Sequence, residues 1–330
     1  MLKKSKFILF IILGAMTIMP LSLVSSCNHN NTIQIVMADF FNSWVATYAI
    51  REGIVTSNNI KVEIVFAQDF SAQLAAGKFP MGALDAAKFS LLNNESNKNF
   101  KALSTFIVHE GATAAKGVHA LYTMADSGIN SPADLIGKKV GIDDSNISCT
   151  ANVFLGFLQE EYGIKESQFE QIYNPSAALL GQLRAGNLDA VMLAGNASPQ
   201  AANDPTIKRI WNLDEAFYNK YGVVFYPSVL VVEEKYYAKN KAIVAEVFDM
   251  LVESNKYGSE NISVISEKYA AYRPGLSPEF YQTVFNNNSS CRILPLVGKE
   301  RDSIIRLWEI VQYRGIITEL PDPESAFVIW

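Results

Sequence analysis

The stretch Asp144-Ser145-Asn146-Ile147-Ser148-Cys149-Thr150 gathers three hydroxyls, an amide, a thiol and a carboxylate within seven residues. It follows a short apolar run, 140–142, and leads into an amphipathic segment, 150–162, closed by Gly163. A strand-to-helix turn of this kind points backbone N–H groups and the positive end of a helix dipole at whatever sits above it. Hydroxyls of Ser145, Ser148 and Thr150 would add donors beside Asn146. A carboxylate, a sulfonate or a polar carbonyl edge could be held there without arginine. The same residues also suit an ordinary helix cap, with Ser148 or Asn146 satisfying the first turn. Both roles can coexist. Asp143 and Asp144 would discourage a strongly anionic group unless they point away.

Other candidate contacts fall just past strand-like runs. Asp39, Phe40, Phe41 and Asn42 follow the run 32–37, with Trp44 read as core. Asp85 and Ala86 follow 81–84, where small residues let a ligand approach the backbone, and His109 follows 101–108. Tyr226 could close on a ligand or pack where the chain recrosses. These loops hold aromatic rings but no lysine or arginine, which suits a small organic solute, aromatic or heterocyclic ones included, better than a bare oxyanion. The chain has no G-x-S-x-G elbow, no G-x(4)-G-K-[ST] phosphate loop and no H-E-x-x-H pair, so no enzyme is expected. His29, His109 and His119 are scattered and no Cys–His cluster has zinc spacing, so neither metal nor cofactor is expected.

Alternating segments position these residues. Strand-like runs at 32–37, 61–66, 81–84, 101–108, 119–124, 140–142, 169–173, 188–193, 208–213 and 223–233 are interleaved with helical spacing at 42–52, 71–76, 89–93, 150–162 and 177–184. Ser131 and Pro132 read as a helix start, and 242–257, 262–272, 278–286 and 299–314 as a terminal helical block. Repeated βα units imply α/β architecture with parallel or mixed sheets covered by helices. The expected division is a discontinuous lobe 1 of residues 32–125 and 223–330 and a lobe 2 of residues 126–222. The double crossing leaves a cleft at strand C-termini, where open α/β sheets place ligands.

The N-terminus reads as an export signal. Lys3, Lys4 and Lys6 precede an 18-residue segment, 7–24, apolar but for Thr17 and Ser22, and then Ser25-Ser26-Cys27. A membrane anchor is the alternative, at the short limit for crossing a bilayer and interrupted by Pro20. Val24-Ser25-Ser26-Cys27 resembles the lipobox of bacterial lipoproteins. That resemblance implies a signal peptide 1–26, lipidation of Cys27, and residues 27–31 as a tether at the outer or periplasmic face of the cell membrane. Loss of the three lysines takes the formal charge from −5 to −8, a poor balance for nucleic acid. Cys149 and Cys291 could pair outside the cell or stand as two buried thiols.

Four strings then fall in order: SGINSPADLIGKKV from Ser127, GKKVGIDDSNISCTANVFLGFLQEEYGI from Gly137, LLGQLRAGNLDAVMLAG from Leu179 and YPSVLVVEEKYYAKNKAIV from Tyr226. Together they resemble the substrate-binding proteins of ABC importers in the nitrate, sulfonate, taurine and thiamine-precursor group. The resemblance implies a type II periplasmic-binding fold, two α/β lobes with mixed sheets joined by a two-stranded hinge, closing over a small solute. It also implies delivery to a permease with its ATPase, by a protein expected to be a monomer. In that family the loop after the strand 188–193 commonly carries a bulky aromatic and an acid. Here it reads Gly195-Asn196-Ala197-Ser198, leaving Asn196 as the candidate contact. A lipid-anchored sensor using the same cleft is the main alternative. A thiamine-pyrimidine-synthase-like enzyme is a weaker one, since that family's cysteine-rich motif is absent.

Overall fold

The computed structural model describes residues 32–95, 99–108, 118–287 and 290–330. The chain runs β1 (Thr32–Met37), α1 (Phe41–Arg51), β2 (Lys61–Phe66), α2 (Phe70–Ala75), β3 (Met81–Asp85), α3 (Ala86–Glu95), β4 (Phe100–Thr105) and β5 (Ile107–Val108). It continues through β6 (Ala120–Met124), β7 (Lys139–Asp143), α4 (Cys149–Tyr162), β8 (Glu170–Asn174), α5 (Ser176–Arg184), β9 (Ala190–Leu193), α6 (Ala197–Ala202), β10 (Ile207–Asn212) and α7 (Leu213–Tyr221). The last part is β11 (Ser228–Glu233), α8 (Glu234–Lys239), α9 (Lys241–Glu260), α10 (Ile262–Tyr272), α11 (Pro278–Asn287), β12 (Ser290–Cys291), α12 (Lys299–Tyr313) and α13 (Pro323–Ala326).

Two mixed five-stranded sheets form the two lobes. The first has the order β2-β1-β3-β11-β4, with β1, β2 and β3 parallel and β11 antiparallel to both its neighbours. The second has the order β10-β6-β9-β7-β8, with β7, β8 and β9 parallel and β6 antiparallel to β9 and β10. Register follows the apolar pattern: Ile35 faces Ile64, and Ile142 faces Tyr173. A slip of one residue would turn each strand's core face outward.

Several boundaries differ from those the sequence suggests. The run 119–124, expected to end the first lobe, forms β6 and pairs with β9 and β10, so the chain has entered the second sheet before Ala120. Its Ala120 and Tyr122 pack with Leu179, Leu183 and Val191 there. The expected strand 223–233 is a strand only from Ser228, because Pro227 has no N–H for a ladder and Val223, Phe225 and Tyr226 are core. The expected strand 101–108 changes partner: β4 pairs with β11, and β5 with β12. Helix α7 escaped the periodicity, although Asn212 caps it at Glu215 N–H (3.2 Å) and Gly222 closes it in the left-handed region.

The lobes are joined by side chains as well as by backbone. One apolar cluster holds Val36, Leu84 and Val231 of the first sheet and Val140, Ile142 and Met192 of the second. Helix α12, from the terminal block, lies against both α3 and α4 and contributes Leu307 and Trp308 to that cluster. Trp308 donates from Nε1 to the Ala86 carbonyl at 3.1 Å. Where α4 passes closest, Gly156 leaves room for Ile310: a Cβ there would sit 2.6 Å from the Ile310 methyl. No helix among the described residues is long and apolar enough to cross a membrane.

Candidate functional site

The strand C-termini of the two sheets meet at one carboxylate. Asp85 ends β3 and caps α3, its Oδ1 accepting from Ala87 N (2.8 Å) and Lys88 N (3.0 Å). Its Oδ2 accepts from Cys149 N (2.9 Å), the first residue of α4 in the other lobe. Two helix N-termini therefore share one anion, the arrangement their dipoles favour. The Cys149 thiol lies 3.1 Å from both Asp85 Oδ1 and the Pro227 carbonyl and accepts from Ala87 N at 3.2 Å. Burial first, and Asp85 next, push this thiol well above the ordinary range, so it stays protonated and donates. Cys149 and Cys291 are both free and buried.

Lys88 supplies a second tie. Its Nζ lies 2.8 Å from Asp144 Oδ2 at the end of β7. Burial pulls the amine's pKa down, but Asp85 and Asp144 outweigh that and hold it above the ordinary lysine value. Asp144 has φ = 65°, the only left-handed non-glycine among the described residues. Aspartate tolerates that conformation better than most side chains, and such positions collect at working sites. Next to it, Asp143 turns inward and accepts from Ser176 N (3.0 Å) and Ser176 Oγ (2.5 Å). Burial raises Asp143 above the usual carboxylate value, with the Ser176 hydroxyl opposing.

The remaining candidates have varied surroundings. Ser148 is the N-cap of α4, its Oγ accepting from Ala151 N at 3.2 Å and donating toward the Asp143 and Ser145 carbonyls. Thr150 is buried, Ser145 and Asn196 half-buried, and Asn146 exposed. In the first lobe Asp39 accepts from Trp44 Nε1 (3.1 Å) and Tyr272 Oη (3.2 Å) and pairs with Arg273. Phe40 is 59% exposed and Asn42 half-buried. Phe41 turns away into an aromatic cluster with Tyr269, Tyr281 and Phe285, its ring centroid 5.0 Å from that of Tyr281. Ala86 is buried in the core. Tyr226 is buried, its hydroxyl 3.5 Å from Glu300 Oε1. His109 and Cys27 lie outside the described residues.

Sequence reasoning missed Lys88 and Arg273. Lys88 hides in the first turn of α3, two residues past the loop that drew notice. Arg273 is 234 positions from the carboxylate it pairs with, and no local pattern links them. His119 and Asp214 form a buried pair, Nδ1 to Oδ1 2.9 Å, behind β6.

Comparisons with known proteins bear on family and fold. The family model described as NMT1/THI5 like matches residues 41–261. A 4,5-dihydroxyphthalate decarboxylase from Comamonas testosteroni is 48% identical over 54 residues, which is 16% of this chain and only 16% of that protein. Among solved structures, the periplasmic aliphatic sulphonate binding protein SsuA of Escherichia coli aligns over 91% of this chain and 92% of its own, at 15% identity and TM-score 0.69. The alkanesulfonate-binding SsuA of Xanthomonas axonopodis pv. citri, bound to MOPS, covers 90% and 98% at 14% identity and TM-score 0.69. A Candida albicans protein exhibiting the generic periplasmic binding protein fold covers 90% and 96% at 14% identity and TM-score 0.64. At these identities the likeness concerns the fold, and it agrees with the two lobes of mixed sheet described above. The resemblance carried by the four strings therefore holds at the level of fold and family, and the chain belongs to the NMT1/THI5-like family.

Proposed function

We propose that this protein is the solute-binding subunit of an ABC importer. It captures a small organic molecule between its lobes and presents the closed form to a permease and its ATPase. The observation that carries the reading is the meeting of strand C-termini from both sheets at Asp85, Lys88, Asp144 and Cys149. A solute touching both sides stabilises the closed state by its differential affinity for that state, and a permease can read the result. No bond need be made or broken. In this reading Phe40, Asn42, Ser145, Asn146 and Asn196, all exposed or half-buried, are the groups that meet the solute. His109, which follows β5, and Tyr226 at the return crossing are the further candidates.

In the same reading Cys27 carries acyl chains after removal of residues 1–26, and residues 27–31 tether an exported monomer to the cell membrane. Two or more chains are needed for stable anchoring, since each buried methylene contributes about 0.8 kcal/mol. One lobe then includes the described residues of 32–108 with 228–330, and the other residues 120–221. The sulfonate-binding proteins of like fold support an importer role without fixing the solute.

The test is native mass spectrometry of acyl-free protein purified from its own host, followed by thermal shift with the recovered compound. One small molecule bound per chain, raising Tm as its concentration rises, is the expected result. A chain that carries no solute and responds to none contradicts the proposal. Loss of solute uptake on deletion separates an importer subunit from a sensor.

A further inference from the structure

Among the described residues two ion pairs join residues 120–221 to the rest of the chain, and they differ in how far their cations reach water. Arg314 holds Glu166 at 2.6 Å with its own side chain 3% exposed, where α12 packs against α4. Lys88 holds Asp144 at 2.8 Å, with side chains 22% and 52% exposed. Each partner of this second pair is positioned by its own lobe. Lys88 sits in the first turn of α3, where its N–H goes to Asp85 Oδ1 at 3.0 Å. Asp144 keeps its left-handed backbone through its N–H to the Asn174 carbonyl and the Ser145 N–H to the Asp143 carbonyl, both 3.1 Å. The chain alone therefore presents the two charges to each other, and water can receive both when they part.

Resting on the importer reading, we infer that Lys88 and Asp144 form an ionic latch between the lobes, one that favours the closed arrangement and loosens as salt rises. Neither residue needs to touch the solute: both are positioning residues that act on the balance between closed and open lobes. A pair with this exposure shifts such a balance by about two- to fivefold. Where the open form predominates, a solute gripped from both sides gains apparent affinity by the same factor, because the form it binds is already more populated. The buried Arg314 guanidinium is screened less, which leaves Lys88 and Asp144 as the salt-sensitive tie.

The Cys149 thiol reports on the latch. It shares Asp85 Oδ1 with the Lys88 N–H, and Cys149 is 1% exposed, so a reagent reaches it only when the junction opens. Cys291, equally buried in the core of the first lobe, is the internal control. Alkylation by iodoacetamide, read peptide by peptide by mass spectrometry, compares wild type with Lys88→Met and Asp144→Asn. Asparagine tolerates the left-handed backbone. At low salt both variants should label Cys149 about two- to fivefold faster than wild type, with Cys291 unchanged. Wild type should reach the variants' rate at about 0.5 M salt, where exposed charges are strongly screened. The two variants change the local charge in opposite senses, so a field effect on the thiol would drive their rates apart, whereas a lost latch raises both. Equal rates in all three proteins, opposite shifts in the two variants, or acceleration of Cys291 alongside Cys149 would overturn the latch and leave the importer reading standing. Failure to recover a solute contradicts that reading separately, since the labelling needs none.

Discussion

Asp85, Asp143 and Asp144 are three strand-end carboxylates with three different fates, each set by what the fold places opposite. Asp85 bridges two helix ends, Asp144 holds Lys88 from a left-handed backbone, and the half-buried Asp143 accepts from Ser176. The pH behaviour of Asp143 follows from its burial. Its folded pKa lies above the ordinary aspartate value of 3.8, so protonation favours the folded state. That contribution is complete below the unfolded value and lost as pH rises through the folded one. Thermal melts across that window should therefore show wild type losing stability relative to Asp143→Asn, which is neutral throughout; parallel curves would contradict it. At this scale the sequence displayed the carboxylates and the Ser148 cap, because both follow from local order along the chain. It did not display their partners. Lys88 and Arg273 reach them only through the packing of α3 and α10, and Phe41 joins an aromatic cluster assembled from helices more than 200 residues further on.

Elements were legible wherever a local signal and tertiary packing agreed. The βα alternation, the Ser131-Pro132 start and the Gly163 stop all fall where spacing and caps put them. Disagreements arose where pairing partners decided the outcome: β6 went to the second sheet, and the run before β11 became core without ladder pairing. Two glycines show how packing overrides propensity. In α5, Gly181 has open space around its missing Cβ, so Gly181→Ala should stabilise by about 0.5–1 kcal/mol through helix propensity alone. In α9, a Cβ on Gly258 would lie 2.0 Å from the Val45 carbonyl oxygen of α1. Backbone cannot yield cheaply there, and overpacking of about 1–3 kcal/mol exceeds the propensity gain of about 1 kcal/mol. Gly258→Ala should therefore destabilise, with a lower urea midpoint, and Gly181→Ala should raise it.

At the scale of the molecule the terminal helices do more than cover the first sheet. The side chain of Arg314, just past α12, is almost wholly buried and reaches into the other lobe, with Nη2 2.6 Å from Glu166 Oε1 and Nη1 2.6 Å from Asn152 Oδ1. Arg314→Ala would leave the buried Asn152 carbonyl without that donor, and the urea midpoint should fall by the equivalent of about 1–3 kcal/mol. Two lobes tied by Arg314 and the Asp85 bridge can bind a solute only if the junction at the strand ends responds on both sides. Hydrogen exchange on the wild-type protein, with and without the solute recovered from its host, addresses this directly. The account predicts slowed exchange at Ala87 and Lys88 in one lobe together with Cys149 and its neighbours in the other. Protection confined to one lobe, or lying away from both helix ends, would contradict it.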